Sequence, residues 1–259
     1  MKGPLDGRVA VVTGASMGVG RGIAVGLGEA GASVYLLGRT PATLSSAAGD
    51  VTAAGGTAFP VVCDLRDDEQ VADAFTQVVD GAGRIDILVN NAMGVVPYDL
   101  MFSKTPFWDY PASAWDELID VGLRSHFVAA QHAARTMIRQ RSGLIVNISS
   151  RGAHSRFAIL PYGVGKTALD RMTTDMAQDL EPFGVTVVSY WPPPTATERM
   201  RESAGPEDNP SNWSMPVFNG RVIAALAAAA DPQTRSGSVL VSRELAAELG
   251  VEDPRAERR

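Results

Sequence analysis

The sequence has a single cysteine, Cys63, among its 259 residues. One cysteine excludes a disulfide framework and any zinc or iron–sulfur site built from several cysteines, and it suits a reducing compartment. Lysine is also rare, with three lysines against twenty arginines, so each lysine becomes a candidate for a specific role. We therefore expect a cytoplasmic protein without a metal site.

Dense basic runs and long apolar runs are also absent from the sequence. The net charge is −6, and no cluster of lysine and arginine indicates a nucleic-acid partner. The apolar stretch near the C-terminus, residues 222–230, is too short to cross a bilayer. Residues 1–7 contain no apolar signal region. The partner we expect is a small molecule, with no nucleic acid and no membrane.

What the sequence does contain is seven short runs of Val, Ile and Leu that alternate with helical patterns. The runs are residues 9–12, 33–37, 58–62, 85–89, 144–148, 185–190 and 239–241. They are continuous instead of alternating, which is typical of parallel strands that are covered on both faces. The order predicts one α/β domain over 1–259, a Rossmann-type, doubly wound, seven-stranded parallel sheet with helices on both faces. Residues 253–259 resemble a charged, frayed tail.

A glycine-rich turn joins the first predicted strand to the first helix. Residues 13–20 read Thr-Gly-Ala-Ser-Met-Gly-Val-Gly. A dinucleotide pyrophosphate needs close backbone approach, free N–H donors and a helix N-terminus. Gly14 would permit the tight turn, Gly18 would let the backbone approach the phosphates, and Gly20 would allow close packing of helix and strand. A plain turn is the alternative, but the strand before it and the helix after it favour a cofactor site.

Tyr162 and Lys166 stand four residues apart, on one face of a predicted helix. A tyrosine that exchanges a proton near neutral pH needs its pKa lowered, and a neighbouring ammonium would lower it. Ser149 precedes Tyr162 by thirteen residues and ends a strand, where doubly wound folds bind ligands. Ser150 is the competing hydroxyl, because neighbouring residues at a strand end point in different directions and only one should face the site.

These motifs together resemble the short-chain dehydrogenase/reductase family. They are the glycine turn, Asn90-Asn91-Ala92, Ser149, and the Tyr162–Lys166 pair, in register over most of the chain. Three further stretches, at residues 107–116, 121–124 and 161–166, resemble the branch of dehydrogenase/reductase member one.

The resemblance implies an NAD(P)-linked oxidoreductase that interconverts a carbonyl and an alcohol. By resemblance, Tyr162 is the general acid/base, and Lys166 lowers its pKa and holds the nicotinamide ribose. Ser149 would orient the substrate oxygen.

The resemblance also implies the cofactor contacts. Asp64 would contact adenine, Asn90 and Ala92 would border the adenosine ribose, and Thr195 and Thr197 would hold the carboxamide. The full set that we expect to bind the cofactor is Thr13, Gly14, Ser16, Met17, Gly18, Val19, Gly20, Arg39, Thr40, Asp64, Leu65, Asn91, Ala92, Tyr162, Lys166, Thr195 and Thr197.

Three positions depart from the family pattern. The asparagine that holds a relay water in the family is Gly122 here, a change shared with the closer branch, which we interpret as a variant mechanism. The Pro-Gly after the sixth strand is replaced by three prolines, so Pro193 places a ring beside the expected nicotinamide site. The glycine that usually follows Asn-Asn-Ala is Met93.

The second strand indicates which cofactor is preferred. NAD-linked proteins usually carry an acid at its end, but this chain has Gly38 followed by Arg39 and Thr40. A guanidinium there can bind a 2′-phosphate with two hydrogen bonds. Met17, where many NADP-binding relatives have a basic residue, argues the other way. We expect NADP(H) to be favoured over NAD(H).

Two segments are candidates for the substrate end. A long loop, about residues 94–114, carries Tyr98, Phe102, Phe107, Trp108 and Tyr110, which would either roof an apolar pocket or pack the loop onto its own body. Residues 198–219 are placed to form a mobile lid. His154 and Arg156 would either line the pocket or face solvent.

The combined prediction is an NADP(H)-dependent oxidoreductase for a small, apolar carbonyl or alcohol. The alternative is a cofactor-binding regulatory or scaffold protein of the same fold with little or no turnover, motivated by Gly122 and Pro193. A homodimer or homotetramer is also expected, because the long helix around 114–139 carries apolar residues beyond one core-facing stripe. Those residues are Leu118, Val121, Phe127, Ala130 and Ala134.

Overall fold

The computed structural model describes residues 3–205 and 209–254, and its centre is a seven-stranded parallel sheet. The strand order is β3-β2-β1-β4-β5-β6-β7, which confirms the predicted doubly wound fold. The strands are β1 (Val9–Thr13), β2 (Ser33–Gly38), β3 (Thr57–Val62), β4 (Ile87–Asn90), β5 (Gly143–Ile148), β6 (Val185–Trp191) and β7 (Val239–Val241). The order reverses between β1 and β4, so a crevice opens at the carboxyl ends of these two strands.

Helices cover both faces of the sheet. They are α1 (Gly18–Glu29), α2 (Pro41–Ala53), α3 (Asp68–Ala82), α4 (Tyr98–Met101), α5 (Ala112–Asp116), α6 (Ser125–Gln140), α7 (Leu160–Leu180), α8 (Glu198–Glu202), α9 (Pro216–Ala228) and α10 (Ser242–Glu248). Alternate residues of β1 enter two separate cores, with Ala10 on the side of α1 and α9, and Val11 on the side of α3 and α6. The period of two along a strand produces this division.

The two edge strands differ from the prediction that every strand is covered on both faces. In β3, Phe59 and Val62 are 40% and 55% exposed, and Val239 in β7 is 38% exposed. β3 pairs only with β2 and contains Pro60, which has no N–H to donate and is typical of an edge strand. A run of apolar residues does not by itself reveal whether its strand is central or at an edge.

The segment between α5 and α6 is a π-helical stretch, Glu117–Arg124, so residues 112–140 form one helix with a widened middle. The Ser125 hydroxyl donates to the Val121 carbonyl at 2.7 Å. Gly122 is buried in this stretch, yet a Cβ placed on it would meet no heavy atom within 4 Å beyond the backbone of its own helix. Open space therefore lies beside Gly122 inside the protein.

The prediction that this long helix carries surplus apolar surface is wrong for four of the five residues on which it rested. Leu118 and Ala130 are buried, and Val121 and Ala134 are partly buried and pack against the core. Phe127 alone among the five predicted residues is largely exposed, at 45%. The protein's own core uses the others, because the helix contacts neighbouring elements on more than one side.

The predicted lid also needs correction. Pro216 begins helix α9, and Phe218 and Asn219 are fully buried, so the last residues of the segment 198–219 belong to the core. Residues 206–208 of that segment, and residues 255–259 of the predicted tail, lie outside the described part of the chain. Within residues 3–205 and 209–254, no helix is long and apolar enough to traverse a bilayer.

Candidate active site

A cavity of about 850 Å³ opens at the carboxyl ends of the central strands. It has the size and the mixed lining typical of a site for a small molecule or cofactor. Most of the predicted site residues line it: Gly14, Ser16, Met17, Gly18, Val19, Gly20, Arg39, Asp64, Leu65, Asn91, Ala92, Ser149, Tyr162, Lys166, Thr195 and Thr197. The sequence-based set is thus brought together almost completely in one place.

Thr13, Thr40 and Asn90 are the three predicted residues that do not line this cavity, and the Asn90 side chain is fully buried. The Thr13 hydroxyl is buried and accepts hydrogen bonds from the backbone N–H groups of Asn91 at 2.9 Å and Ala92 at 3.2 Å. It joins β1 to the segment after β4 and leaves no surface for a ligand. Thr40 is exposed and precedes α2. The glycine-rich pattern predicts the turn but not which of its neighbours face inward.

The glycine turn has the geometry of a close-approach site. Gly14 has a positive φ of 63°, which side chains rarely adopt, and a Cβ on Gly20 would collide with the Gly14 carbonyl oxygen. The Asn91 side-chain amide donates to the carbonyls of Thr13 at 3.0 Å and Gly14 at 3.1 Å. The turn is therefore held by the residue that follows β4, and it leads directly into the N-terminus of α1.

A carboxylate already occupies part of this N-terminus. The Gly18 N–H donates to Oε2 of Glu198 at 3.0 Å, across 180 residues of sequence. The N-terminus of a helix attracts anions because its first N–H groups lack partners within the helix and the positive end of the helix dipole lies there. An anionic oxygen thus fits at Gly18, so the residues present are compatible with a dinucleotide pyrophosphate. Sequence reasoning missed Glu198, although its place directly after Thr197 was visible.

The hydroxyl that contacts Tyr162 belongs to Ser150. Tyr162 donates to Ser150 Oγ at 3.0 Å, and the Gly152 N–H donates to the same oxygen at 3.0 Å. Ser149 instead donates to the Lys166 carbonyl at 3.3 Å, and its N–H continues the sheet by donating to the Tyr190 carbonyl at 2.9 Å. The hydroxyl in contact with Tyr162 is thus that of Ser150, the alternative that the sequence left open, although Ser149 also lines the cavity. Because Ser149 still follows the pleat of β5, its side chain points to α7, and the next residue faces the cavity.

Lys166 lies one turn after Tyr162 and is 5% exposed. Its Nζ donates to the Ile148 carbonyl at 2.7 Å and lies 5.7 Å from the centre of the Tyr162 ring. Burial lowers the pKa of Lys166 to about 8, and the carboxylate of Asp170 offsets part of this effect. The cation is thus held against the end of β5, behind the tyrosine.

The pKa of Tyr162 differs in direction from the sequence-based expectation. Burial raises it, and the hydrogen bond to Ser150 lowers it by less. The phenol is therefore protonated at neutral pH in this arrangement. A protonated phenol beside a hydroxyl can donate to a carbonyl oxygen, which is the starting point for a reduction.

Charged residues surround the far end of the cavity, where Arg39 follows β2. No carboxylate stands at Gly38, and Arg39 lines the cavity. Asp64 lies opposite, and the hydrogen bonds from Arg66 lower its pKa, with a smaller contribution from Arg39. The guanidinium of Arg66 also contacts Glu117 at 3.2 Å. Asp64 is consequently an ionised carboxylate that is already paired.

The aromatic residues of the long loop divide between the two expected roles. Tyr98 and Phe102 line the cavity and contact each other, with ring centres 4.7 Å apart. Tyr110 packs against a small apolar cluster that joins the loop to Leu118 and Ile159. Phe107 and Trp108 do not line this cavity and are 60% and 71% exposed, and Phe107 lines a smaller neighbouring pocket. Only part of the loop therefore covers the site.

Residues near Tyr162 complete this end of the cavity. Phe157 lines it and contacts the Tyr162 ring edge-on at 5.8 Å, a contact that the sequence analysis missed. His154 and Arg156 line a smaller neighbouring pocket of about 280 Å³ and are exposed there. Pro193 lines the main cavity as expected, and its carbonyl accepts a hydrogen bond from the Thr195 hydroxyl at 2.7 Å.

Helix α8 and the long loop meet over the cavity. Arg199 donates to the Val96 carbonyl, and the Tyr98 hydroxyl lies 3.8 Å from Met200 Sδ. The Thr197 hydroxyl begins α8 by accepting from the Met200 N–H at 3.2 Å, so it acts as the helix N-cap. The first part of the predicted lid is therefore in contact with the predicted substrate loop.

Comparison with known proteins confirms the resemblance in both sequence and structure. The family description "short chain dehydrogenase" matches residues 8–208. The mouse protein named Dehydrogenase/reductase SDR family member 1 is 41% identical over 98% of this chain and 85% of its own length, and its human counterpart is 40% identical over the same shares. A gluconate 5-dehydrogenase from Gluconobacter oxydans is 35% identical over 81% of this chain and 79% of its own length.

Solved structures give the same result. A 7α-hydroxysteroid dehydrogenase complexed with NADH and a 7-oxo bile acid is 26% identical, with a TM-score of 0.80 over 92% of this chain and 93% of that chain. A short-chain type dehydrogenase/reductase from Mycobacterium marinum is 29% identical, with a TM-score of 0.80 over 92% of this chain and 94% of its own. The family uses NAD(P)(H) and binds small-molecule substrates. This chain belongs to the short-chain dehydrogenase/reductase family of oxidoreductases.

Proposed function

We propose that the protein is a cytoplasmic, NADP(H)-dependent reductase that interconverts a carbonyl and an alcohol on a small, apolar substrate. The observation that carries this proposal is the bond from Tyr162 to Ser150 in the cavity that begins at the glycine turn. A phenol proton and a hydroxyl converge there on one place where a substrate oxygen fits. The raised pKa of Tyr162 supports proton donation, and therefore the reducing direction.

The residues of this chain would act on the substrate oxygen in a defined order. Ser150 donates its own hydroxyl hydrogen to the carbonyl oxygen, since its Oγ already accepts from Tyr162 and Gly152. Tyr162 then turns its O–H from Ser150 Oγ to that oxygen and transfers its proton there, which leaves a phenolate. Lys166 stabilises the phenolate that forms, because its ammonium is fixed behind the ring. A nicotinamide bound in the cavity would supply the hydride.

The aromatic part of the cavity lining favours an apolar substrate. It consists of Tyr98, Phe102, Phe157 and Trp213. Relatives bear names for substrates as different as gluconate and a hydroxysteroid, so substrate class varies within the family. The choice for this chain therefore rests on its own aromatic residues.

The cofactor preference rests on Arg39. The Arg39 guanidinium lines the cavity next to Gly38, where no acid stands. This arrangement suits a 2′-phosphate, whereas an acid at this position would repel it. Two solved relatives have NADH or NAD⁺ in their descriptions, so NAD(H) is the alternative cofactor that the measurement must separate from NADP(H). A regulatory protein without turnover is the rival function, and Pro193 in the cavity wall is the observation that favours it.

A homodimer or homotetramer is also proposed, on a smaller surface than the sequence indicated. Trp115 and Phe127 are 44% and 45% exposed on the long helix of residues 112–140. Exposed aromatic side chains on one long element are typical of an interface.

The first prediction concerns the cofactor. NADPH should bind at least about tenfold more tightly than NADH, and Arg39→Ala should remove most of that difference, a loss of about 1.5–3 kcal/mol for a charge-assisted hydrogen bond. Titration of both cofactors by intrinsic fluorescence would measure the two dissociation constants. Equal binding of both cofactors by the unmodified protein would refute the assignment.

The second prediction concerns the proton donor. Tyr162→Phe should lower turnover by about 10²- to 10⁴-fold, while NADPH binding changes little, because only the proton is removed. Ser150→Ala should also lower turnover strongly, and Ser149→Ala serves as the matched control that should cost less. NADPH oxidation with a panel of apolar ketones and quinones provides the assay. If the unmodified protein binds NADPH and oxidises none with this panel, the regulatory alternative is favoured.

The third prediction concerns Glu198, whose carboxylate occupies the anion site at Gly18. Glu198→Gln should lower the dissociation constant of NADPH by about three- to tenfold, because a negative charge leaves the phosphate site. Glu202→Gln, on the same short helix but outside the cavity lining, makes the same charge change and should have little effect. The difference should shrink as salt rises. Weaker binding in Glu198→Gln would mean that the carboxylate helps the cofactor.

The fourth prediction concerns assembly. Sedimentation velocity at micromolar concentration should show a species larger than the 27.3 kDa chain. Phe127→Glu should shift it toward the monomer, because a charge would be buried in the interface. Val239→Glu, on the edge strand β7, tests whether that edge contributes instead. A monomer in the unmodified protein would contradict the proposal.

A further inference from the structure

A buried histidine with an unpaired nitrogen lies one turn after Gly122. His126 is fully buried in α6, and its Nε2 is 2.8 Å from the Ala92 carbonyl oxygen. Because a carbonyl only accepts, Nε2 must carry the hydrogen, and Nδ1 is then a bare acceptor. Nδ1 has no hydrogen-bond partner among the described residues.

The ring is neutral as well as unpaired. Burial, with a smaller contribution from the ammonium of Lys166, lowers the pKa of His126 to about 3. The imidazole therefore stays uncharged over the working pH range, and Nδ1 remains an acceptor throughout. Hydrogen bonds place the lysine nearby: Asn90 bonds both the His126 carbonyl and Asn147, and the residue after Asn147, Ile148, accepts from Lys166 Nζ.

A second unpaired acceptor is attached to the same histidine. The side-chain amide of Asn90 donates to the His126 backbone carbonyl at 3.2 Å and to Asn147 Oδ1 at 2.9 Å. Both donor hydrogens are thus engaged, while the buried Asn90 Oδ1 lacks a partner among the described residues. Buried acceptors are almost always satisfied, and an ordered water is the usual partner when no protein group is.

Lys166 is the neighbouring donor. Its ammonium has three hydrogens, and the Ile148 carbonyl is the acceptor recorded for Nζ among the described residues. The open space beside Gly122 lies on the same helical face as His126, one turn earlier. Two unpaired acceptors, a donor with hydrogens to spare and an open space therefore occur together behind Tyr162.

We propose that His126, assisted by Asn90, positions an ordered water on Nζ of Lys166. The water accepts from the ammonium and donates to His126 Nδ1 and Asn90 Oδ1, which satisfies both orphan acceptors. His126 is a positioning residue: it acts through the water and the lysine and does not touch the substrate. This inference rests on the proposed function, because its purpose is to keep Lys166 protonated and oriented while Tyr162 transfers its proton.

A second acceptor for Nζ favours the charged form of Lys166. Losing it should shift the alkaline limb of the turnover profile to lower pH. The titratable groups around the lysine are Tyr162 and Asp170 on its own helix, His126 on α6, and Glu117 on the cavity wall. None of them is changed in charge by replacing the neutral His126 with an amide.

Two amide variants separate the two nitrogens of the ring. His126→Gln can still donate to Ala92 from the Nε2 position but lacks an acceptor at Nδ1, whereas His126→Asn keeps an acceptor near Nδ1 and loses the bond to Ala92. We expect His126→Gln to lower kcat by about 10- to 100-fold, the range for a lost hydrogen bond to a charged group, and to shift the alkaline limb downward. His126→Asn should retain most of kcat but melt at a lower temperature.

The opposite pattern would overturn the proposal. If His126→Gln keeps kcat and His126→Asn loses it, the histidine acts through Ala92 and not through a water. NADPH binding and melting temperature, measured on both variants, show whether His126→Gln is folded. A His126→Gln protein that is folded, binds NADPH and turns over within twofold of the unmodified protein likewise rejects the role.

Gly122→Asn gives a sharper test, because a Cβ at position 122 would meet no heavy atom within 4 Å beyond the backbone of its own helix. In the unmodified protein the new amide should displace the water and lower turnover. In the His126→Gln background the same amide offers Lys166 an acceptor and should raise turnover. This reversal of sign requires that positions 122 and 126 serve the same water. Effects of the same sign in both backgrounds would contradict the proposal.

A high-resolution crystal structure tests the water without any assay of activity. Density bridging Lys166 Nζ and His126 Nδ1 supports the inference, and its absence in a well-ordered site rejects it. If the unmodified protein shows no turnover yet contains this water, the proposed function fails while the water site stands. If turnover depends on Tyr162 and the water is missing, the proposed function stands and this inference fails.

Discussion

The buried ammonium of Lys166 is the group on which the arrangement of the site depends. An ammonium with so little exposure is costly to bury, and it is accommodated by the Ile148 carbonyl at 2.7 Å and by the charge of Asp170. The bond ties α7 to the end of β5, and the Ser149 hydroxyl adds a second tie to the Lys166 carbonyl. With helix and strand joined in this way, Tyr162 and the next serine, Ser150, meet at 3.0 Å.

A second connection aligns the cofactor end with this pair. Asn91, in the segment after β4, donates two hydrogen bonds to Thr13 of β1, so the glycine turn is held at the place where the strand order reverses. His126 extends the connection by binding the Ala92 carbonyl from α6. The two halves of the sheet are therefore linked through Asn91 and Ala92, which border the cavity between the anion site and Tyr162. A change in either residue would move both ends of the site.

The sequence predicts those parts of the site that depend on local spacing. The glycine turn and the Tyr162–Lys166 pair are such cases, since helix geometry alone places residues four apart on one face. The choice between Ser149 and Ser150 depends on where β5 stops following the pleat, which spacing does not contain. The same limit applies to the aromatic loop. Tyr98 lines the cavity and Trp108 faces solvent, although the sequences around the two residues are similar. Burial of the long helix likewise depends on contacts distant in sequence.

The distribution of unpaired polar atoms argues for an active site over a passive binding module. Six buried side-chain atoms lack a partner within residues 3–205 and 209–254: those of Asn90, Ser103, Tyr110, His126, Asp170 and Ser214. His126 and Asp170 interact electrostatically with Lys166, and Asn90 bonds the His126 carbonyl. Ser103 and Tyr110 belong to the loop over the cavity, and the Ser214 N–H donates to the Pro194 carbonyl. Unsatisfied groups reduce stability, and proteins tolerate them chiefly where function requires it. A module that only held a cofactor would gain nothing from two of them, in His126 and Asp170, that interact with one buried lysine.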